Sequence, residues 1–281
     1  TFGNGERSVL ILHGWRSQSD RWQKIAELLA TPSVQGSDGP MEKGVTVIIP
    51  DLPGFGKSQE PESAWSIDNY VEWLNEFIEK VPSVHQPFYL LGHSFGGTFA
   101  AKFAIKYNQK VEKLFLVAAS CIRLKTPSKK IIYNISRVIK IFYFFPHYEV
   151  FRKYFYRFIL RKSDYLYTSG IMKEVYLKVI ADDLSQKLGF LKVPTVIIWG
   201  DKDDMTPIEH AKIAHEKIRN SKLIIIPGAG HNLHSNNQEI LAEKVRALLA
   251  RGKGRDMFDL WFLLTKNVAI DQELIAKKIG R

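Results

Sequence analysis

The sequence predicts an α/β protein built on a mostly parallel central sheet flanked by helices. Short β-rich apolar runs recur along the chain, and several are apolar at nearly every position. Segments of helical spacing lie between them. A strand without polar alternation is covered on both faces, and strand–helix alternation supplies the cover.

The strand candidates in order are residues 9–12 (VLIL), 45–49 (VTVII), 88–91 (FYLL), 114–117 (LFLV), 195–199 (TVIIW) and 223–226 (LIII). Each is a short apolar run rich in the β-branched and aromatic residues that pleated sheets accept. Helical spacing covers residues 20–29, 66–80 and 97–107. Two insertions break the alternation. Residues 31–44 (TPSVQGSDGPMEKG) are rich in Gly, Pro and Ser and read as a surface loop. Residues 122–188 hold 14 Lys/Arg against 5 Asp/Glu and carry 14 aromatics, in runs such as IFYFF and YFYRF. Helical spacing with breaks at Pro127, Pro146 and Gly170 predicts about three helices forming a separate lid.

The chain has 281 residues, 45% hydrophobic, 25% charged and 12% aromatic, enough for a sizeable core and unlike disordered or collagenous chains. Its single cysteine, Cys121, excludes an internal disulfide and a zinc ribbon. The 40 basic and 29 acidic residues give a net charge of +11, which suits solubility, an anionic surface or nucleic acid and says nothing of fold. No run approaches the roughly 18 apolar residues of a membrane span. The N-terminal TFGNGERS lacks a basic-then-apolar signal layout, so the expected location is cytoplasmic.

The motif with the most chemistry is GHSFGG, residues 92–97, between the run FYLL and a helical segment. It fits the G-x-S-x-G nucleophile elbow in the strand-to-helix setting that motif needs. Glycines two residues either side of Ser94 permit a sharp turn that thrusts its hydroxyl above the sheet. The amide of Phe95 then lies at a helix N-terminus, able to donate to an oxyanion. HGW, residues 13–15, follows VLIL and offers the amide of Trp15 as second donor, with His13 bracing the loop. A serine nucleophile needs a base and an orienting acid. GAGHNLH places His231 after the last strand, with His234 as competitor, and WGDKDDMTP offers Asp201, Asp203 and Asp204. Nucleophile, acid and histidine stand in the expected chain order. His85, His93, His147, His210 and His215 read as surface or packing residues.

Through HGW, DLPGFGKS, GHSFGG, WGDKDDMTP and GAGHNLH, in order over about residues 2–236, the chain resembles the α/β-hydrolases. The resemblance implies a serine hydrolase with a helical cap between the family's strands 6 and 7, where residues 122–188 fall. It implies a body of residues 1–121 and 189–250 and a structural turn at Asp51. Haloalkane dehalogenases and epoxide hydrolases of this fold use an aspartate nucleophile, so Ser94 argues against both. Ser120 and Cys121 leave vacant the alternative acid position used by some relatives. In family members the acid lies three residues after a strand-ending glycine and four before a proline. Gly200, Asp203 and Pro207 reproduce that spacing, so Asp203 is the expected acid and Asp201 the expected capping residue of its own turn. Of the hairpin that precedes the HGW strand in relatives only TFGNGE is present, so the family's first strand is expected to be lacking.

Residues 239–279 resemble the C-terminal part of abortive-infection nucleotidyltransferase toxins. The Gly-Ser and Asp-x-Asp site of those enzymes is absent, and no activity transfers. Residues 251–281 are expected as a helical extension so apolar around Met257–Leu264 (MFDLWFLL) that it packs on the body, self-associates or aggregates.

The expected activity is hydrolysis of a small apolar ester by Ser94, His231 and Asp203, with the Trp15 and Phe95 amides as oxyanion hole and no metal or organic cofactor. Lactone or carbon–carbon bond hydrolysis uses the same machinery. The reading from another class is a basic aromatic binder of nucleic acid or membrane surface, with nucleic acid not the expected partner.

Overall fold

The computed structural model describes residues 1–31, 44–123, 148 and 167–249. Six strands form one sheet: β1 (Arg7–Leu12), β2 (Val45–Ile48), β3 (Phe88–His93), β4 (Val111–Val117), β5 (Thr195–Gly200) and β6 (Ser221–Ile226). Their order is β2-β1-β3-β4-β5-β6, and every neighbouring pair is parallel. Phe2 adds an isolated antiparallel bridge to Val47. β3 and β5 are buried along their whole length, whereas β6, at the edge, is only half-buried. That difference follows from the covering helices, since a central parallel strand meets helices on both faces.

Among the described residues the α-helices are α1 (Gln23–Ala30), α2 (Ile67–Lys80), α3 (Phe95–Lys106), α4 (Gly170–Ala181), α5 (Ile208–Lys217), α6 (Leu233–Asn236) and α7 (Gln238–Leu249). α1 follows a 3-10 turn, Ser19–Trp22, and packs on α7, while α2 packs on α3. The amphipathic pattern of α2 buries Ile67, Tyr70, Val71, Leu74 and Ile78 along one stripe. Its first turn is closed by Ser66, whose N–H donates to Asn69 Oδ1 at 2.8 Å.

The predicted strands are found, with β3 continuing through Gly92 and His93 into the elbow motif. The helix after it starts at Phe95, two residues earlier than helical spacing alone indicates. One residue, Ser94, makes the whole strand-to-helix reversal. Most of the insertion at 122–188, all but the two end residues of the loop at 31–44, and the whole extension at 251–281 lie outside the described residues. The insertion leaves the sheet after β4 and returns before β5. Its described end is α4, whose Met172, Val175 and Val179 join the same continuous apolar core as the sheet. Lys102 of α3 pairs with Asp68 at 2.9 Å and with Asp182, just past α4, at 2.8 Å. No helix among the described residues is long and apolar enough to cross a membrane.

Candidate active site

Ser94 sits at φ 51°, ψ −115°, in the left-handed half of backbone space where a side chain is strained. Such a conformation costs on the order of 1–3 kcal/mol and persists only when its surroundings impose it. Here the Ser94 N–H donates to Val117 O on β4, and the Ser94 carbonyl accepts from Gly97 and Ser120, each at 3.0 Å. The flanking glycines make room. A Cβ on Gly92 would lie 2.6 Å from Gly97 Cα, and one on Gly96 would lie 2.3 Å from the Leu12 carbonyl oxygen.

Three loops at the C-terminal ends of β3, β5 and β6 meet above this turn. Ser94 Oγ lies 2.9 Å from His231 Nε2, and His231 Nδ1 lies 2.8 Å from Asp203 Oδ2. A carboxylate only accepts, so Nδ1 carries the proton and Nε2 is the acceptor for the serine hydroxyl. Asp203 is 6% exposed. Its Oδ1 accepts the N–H groups of Met205 (2.9 Å) and Thr206 (2.8 Å). Burial pushes this carboxyl up, but the bond and charge of His231 and the bonds from Thr206 outweigh it and hold the group below the usual carboxylate range.

The other two aspartates are placed elsewhere. Asp204 is exposed. Asp201 does not cap its own turn as expected. Its Oδ1 accepts the Gly228 N–H at 2.7 Å and so ties the β5 loop to the β6 loop that carries His231. The physical reason is strand pairing: β5 and β6 run side by side to Gly200 and Ile226, which brings both exits within reach.

His234 lies away from the serine, stacked on Trp22 at 4.9 Å and 9°. Neither of its ring nitrogens has a partner among the described residues, and burial lowers its pKa to about 4. His13 braces the HGW loop: Nδ1–H donates to Gly14 O (2.9 Å) and Nε2 accepts from Leu52 N–H (3.1 Å). Burial lowers its pKa to about 4. Asp51 accepts backbone N–H groups from Ser19 (2.7 Å) and Lys57 (2.9 Å), the turn role expected for it.

Trp15 follows directly, its ring edge-on to Phe55 (4.9 Å) and Phe95 (5.4 Å) and tilted against Tyr176 of α4 (5.1 Å). The loop abuts the elbow, since a Cβ on Gly14 would meet Ser94 Cβ at 3.3 Å. Phe95 opens α3, so its N–H has no intrahelical acceptor. Among the described residues no group of His, Cys, Asp and Glu is arranged to hold a metal ion.

Two residues of this site were missed in the sequence. His93, read as packing, donates from Nε2 to the His231 carbonyl at 3.1 Å. Thr206 donates from Oγ1 to Asp203 Oδ2 at 2.7 Å. A hydroxyl three residues after the acid, before Pro207, was the only local signal for the second.

A six-stranded parallel sheet with a strained serine at the β3–α3 turn, facing an Asp–His pair from the loops after β5 and β6, defines a hydrolase of the α/β class. Residues 7–147 and 142–238 match the alpha/beta hydrolase fold family, and the chain belongs to it. Residues 237–281 match a second family, the nucleotidyl transferase AbiEii toxin of Type IV TA systems. The chain is similar to the bovine (Bos taurus) monoacylglycerol lipase ABHD6, 24% identical, with 80% of this chain and 70% of that protein covered. It is also similar to Lipase 1 of Psychrobacter immobilis, 25% identical, with 79% and 70% covered. Its fold is shared with an esterase of Exiguobacterium antarcticum, at a TM-score of 0.65, 23% identity and coverage of 88% of this chain and 92% of the other.

Proposed function

We propose that the protein hydrolyses carboxylic esters through an acyl-enzyme on Ser94. The observation that carries this reading is the unbroken Ser94–His231–Asp203 relay, at 2.9 and 2.8 Å, on a strained elbow. Ser94 Oγ attacks the carbonyl carbon while His231 Nε2 takes its proton. Asp203 holds the imidazole tautomer and stabilises the imidazolium. The tetrahedral oxyanion is received by the amides of Phe95 and Trp15, where negative charge gains most from fixed donors. The imidazolium then protonates the leaving alcohol, and water returns by the same path to free the acid. The names of the relatives, lipases and a monoacylglycerol lipase, favour an ester over an amide.

The rings of Trp15, Phe55, Phe95 and Tyr176 support an apolar acyl group at this site. In this reading residues 1–121 and 189–250 form the hydrolase body, 122–188 the cap and 251–281 an extension without a part in the chemistry. A panel of chromogenic esters from two to sixteen acyl carbons, with several lactones, tests it. Turnover of esters by the wild type and its loss in Ser94→Ala is the expected result. Preference for lactones would move the substrate class, and no turnover of either would overturn the reading.

A further inference from the structure

We infer that Thr206 is a positioning residue of the relay, holding Asp203 and His231 in register through its hydroxyl; this rests on the proposed Ser94 chemistry. Thr206 is 5% exposed, and its Oγ1 lies 2.7 Å from Asp203 Oδ2, 3.2 Å from His231 Nδ1 and 3.3 Å from Ala118 O. One hydroxyl proton serves one strong acceptor, and the carboxylate is the shortest and the only charged one. Its lone pairs remain turned to the Nδ1–H, which therefore meets two oxygens, Asp203 Oδ2 and Thr206 Oγ1. Oδ2 in turn receives two donors and Oδ1 another two, so the carboxylate cannot rotate without breaking several bonds.

The backbone of Thr206 is fixed independently of its side chain. Its N–H donates to Asp203 Oδ1 at 2.8 Å, and its carbonyl accepts the Trp199 indole N–H at 2.7 Å. Exchange of the hydroxyl for a methyl group therefore alters the relay while leaving the loop's tethers in place. The hydroxyl also drains charge from Oδ2. Without it Oδ2 loses a donor and the Nδ1–H keeps one oxygen in place of two, so the ring is less firmly aimed at Ser94 Oγ.

The test compares wild type, Thr206→Val, Thr206→Ser and Thr206→Ala on a soluble short-chain nitrophenyl ester, with a fluorophosphonate probe to count reactive Ser94. Valine should lower kcat about tenfold, the value of one charge-assisted hydrogen bond lost from the reacting state, with KM within about twofold. Serine, which keeps the hydroxyl, should restore kcat. Alanine, which has no steric demand, should repeat the valine result and decides the matter should valine prevent folding. A folded valine or alanine variant with wild-type kcat overturns the inference while the hydrolase reading stands. So does a serine variant no better than valine. A wild type that neither turns over esters nor takes the probe overturns both.

Discussion

His93 Nε2 donates to the backbone carbonyl of His231 at 3.1 Å, so the residue before Ser94 anchors the loop that carries His231. The two rings lie 5.1 Å apart, and His93 also faces His234 at 4.6 Å. Ser94 and the His231 loop are thus joined twice, once by the Ser94–His231 hydrogen bond and once behind it. A rigid connection of this kind keeps the serine–imidazole distance short before substrate arrives.

Ser94→Ala should abolish labelling by a fluorophosphonate and lower turnover by several powers of ten, leaving the contribution of oxyanion donors and binding. Mass spectrometry of the labelled wild type should place the adduct on the peptide containing Ser94. An adduct on another serine would remove it as nucleophile.

Asp203→Asn should lower kcat by about four orders of magnitude, because the amide no longer fixes the Nδ1–H tautomer. Asp201→Asn should cost far less, since an amide oxygen still accepts from Gly228. Asp204→Asn should be close to neutral at its exposed position. Circular dichroism of each variant checks that the fold is retained. Equal losses at Asp201 and Asp203 would contradict this assignment.

Gly96→Ala should destabilise the fold by about 3 kcal/mol, because the new methyl would sit in the Leu12 carbonyl and must push β1 from α3. The distance available there is 2.3 Å to the carbonyl oxygen, a backbone atom that cannot rotate aside. A drop of roughly 6–12 °C in Tm is expected for a chain of this size. An unchanged melting point would show that α3 does not lie this close to the end of β1.

Three buried histidines predict acid lability. Burial lowers His13 and His234 to about 4 and His93 well below its ordinary value. The unfolded chain binds these protons first, so stability is fully present above about pH 6.5 and is lost as pH falls toward 4. Each group contributes a slope of about 1.4 kcal/mol per pH unit in that window. Denaturant titrations at pH 7.5, 6 and 5 should show it, and His234→Phe, which keeps a ring on Trp22, should flatten the slope by about one proton. Asp203, depressed in the folded state, adds a further loss only in the carboxylate range below.

Tyr176→Ala should shift the preferred acyl length with little loss of stability, since Tyr176 is only partly buried and meets Trp15 at 5.1 Å. Rates across the graded ester panel provide the measurement. An unchanged profile would take α4 out of the acyl site.

Ser94 and the covered strands were legible in the chain because each is a local pattern, and the chain order of serine, acid and histidine is read from the sequence directly. A turn without room for side chains demands Gly92 and Gly96, and a strand buried on both faces demands an unbroken apolar run such as Val9–Leu12. The choice of Asp203 over its neighbours followed from the family spacing that the resemblance implies, although only the fold shows it bonded to His231. What the chain alone left open concerns atoms that meet across the sheet. Ser94 and His231 are 137 residues apart, and His93, Thr206 and Asp201 act on loops not adjacent to them in sequence. Their contacts depend on the order β3-β4-β5-β6, which gathers the C-terminal ends of those strands at one edge. Residue type and period encode burial, but hydrogen-bond partners between loops are decided by distance and direction in three dimensions. Asp201 was therefore assigned to the wrong turn, and the position of Thr206, three residues after Asp203, was only a weak sign of the carboxylate its hydroxyl holds.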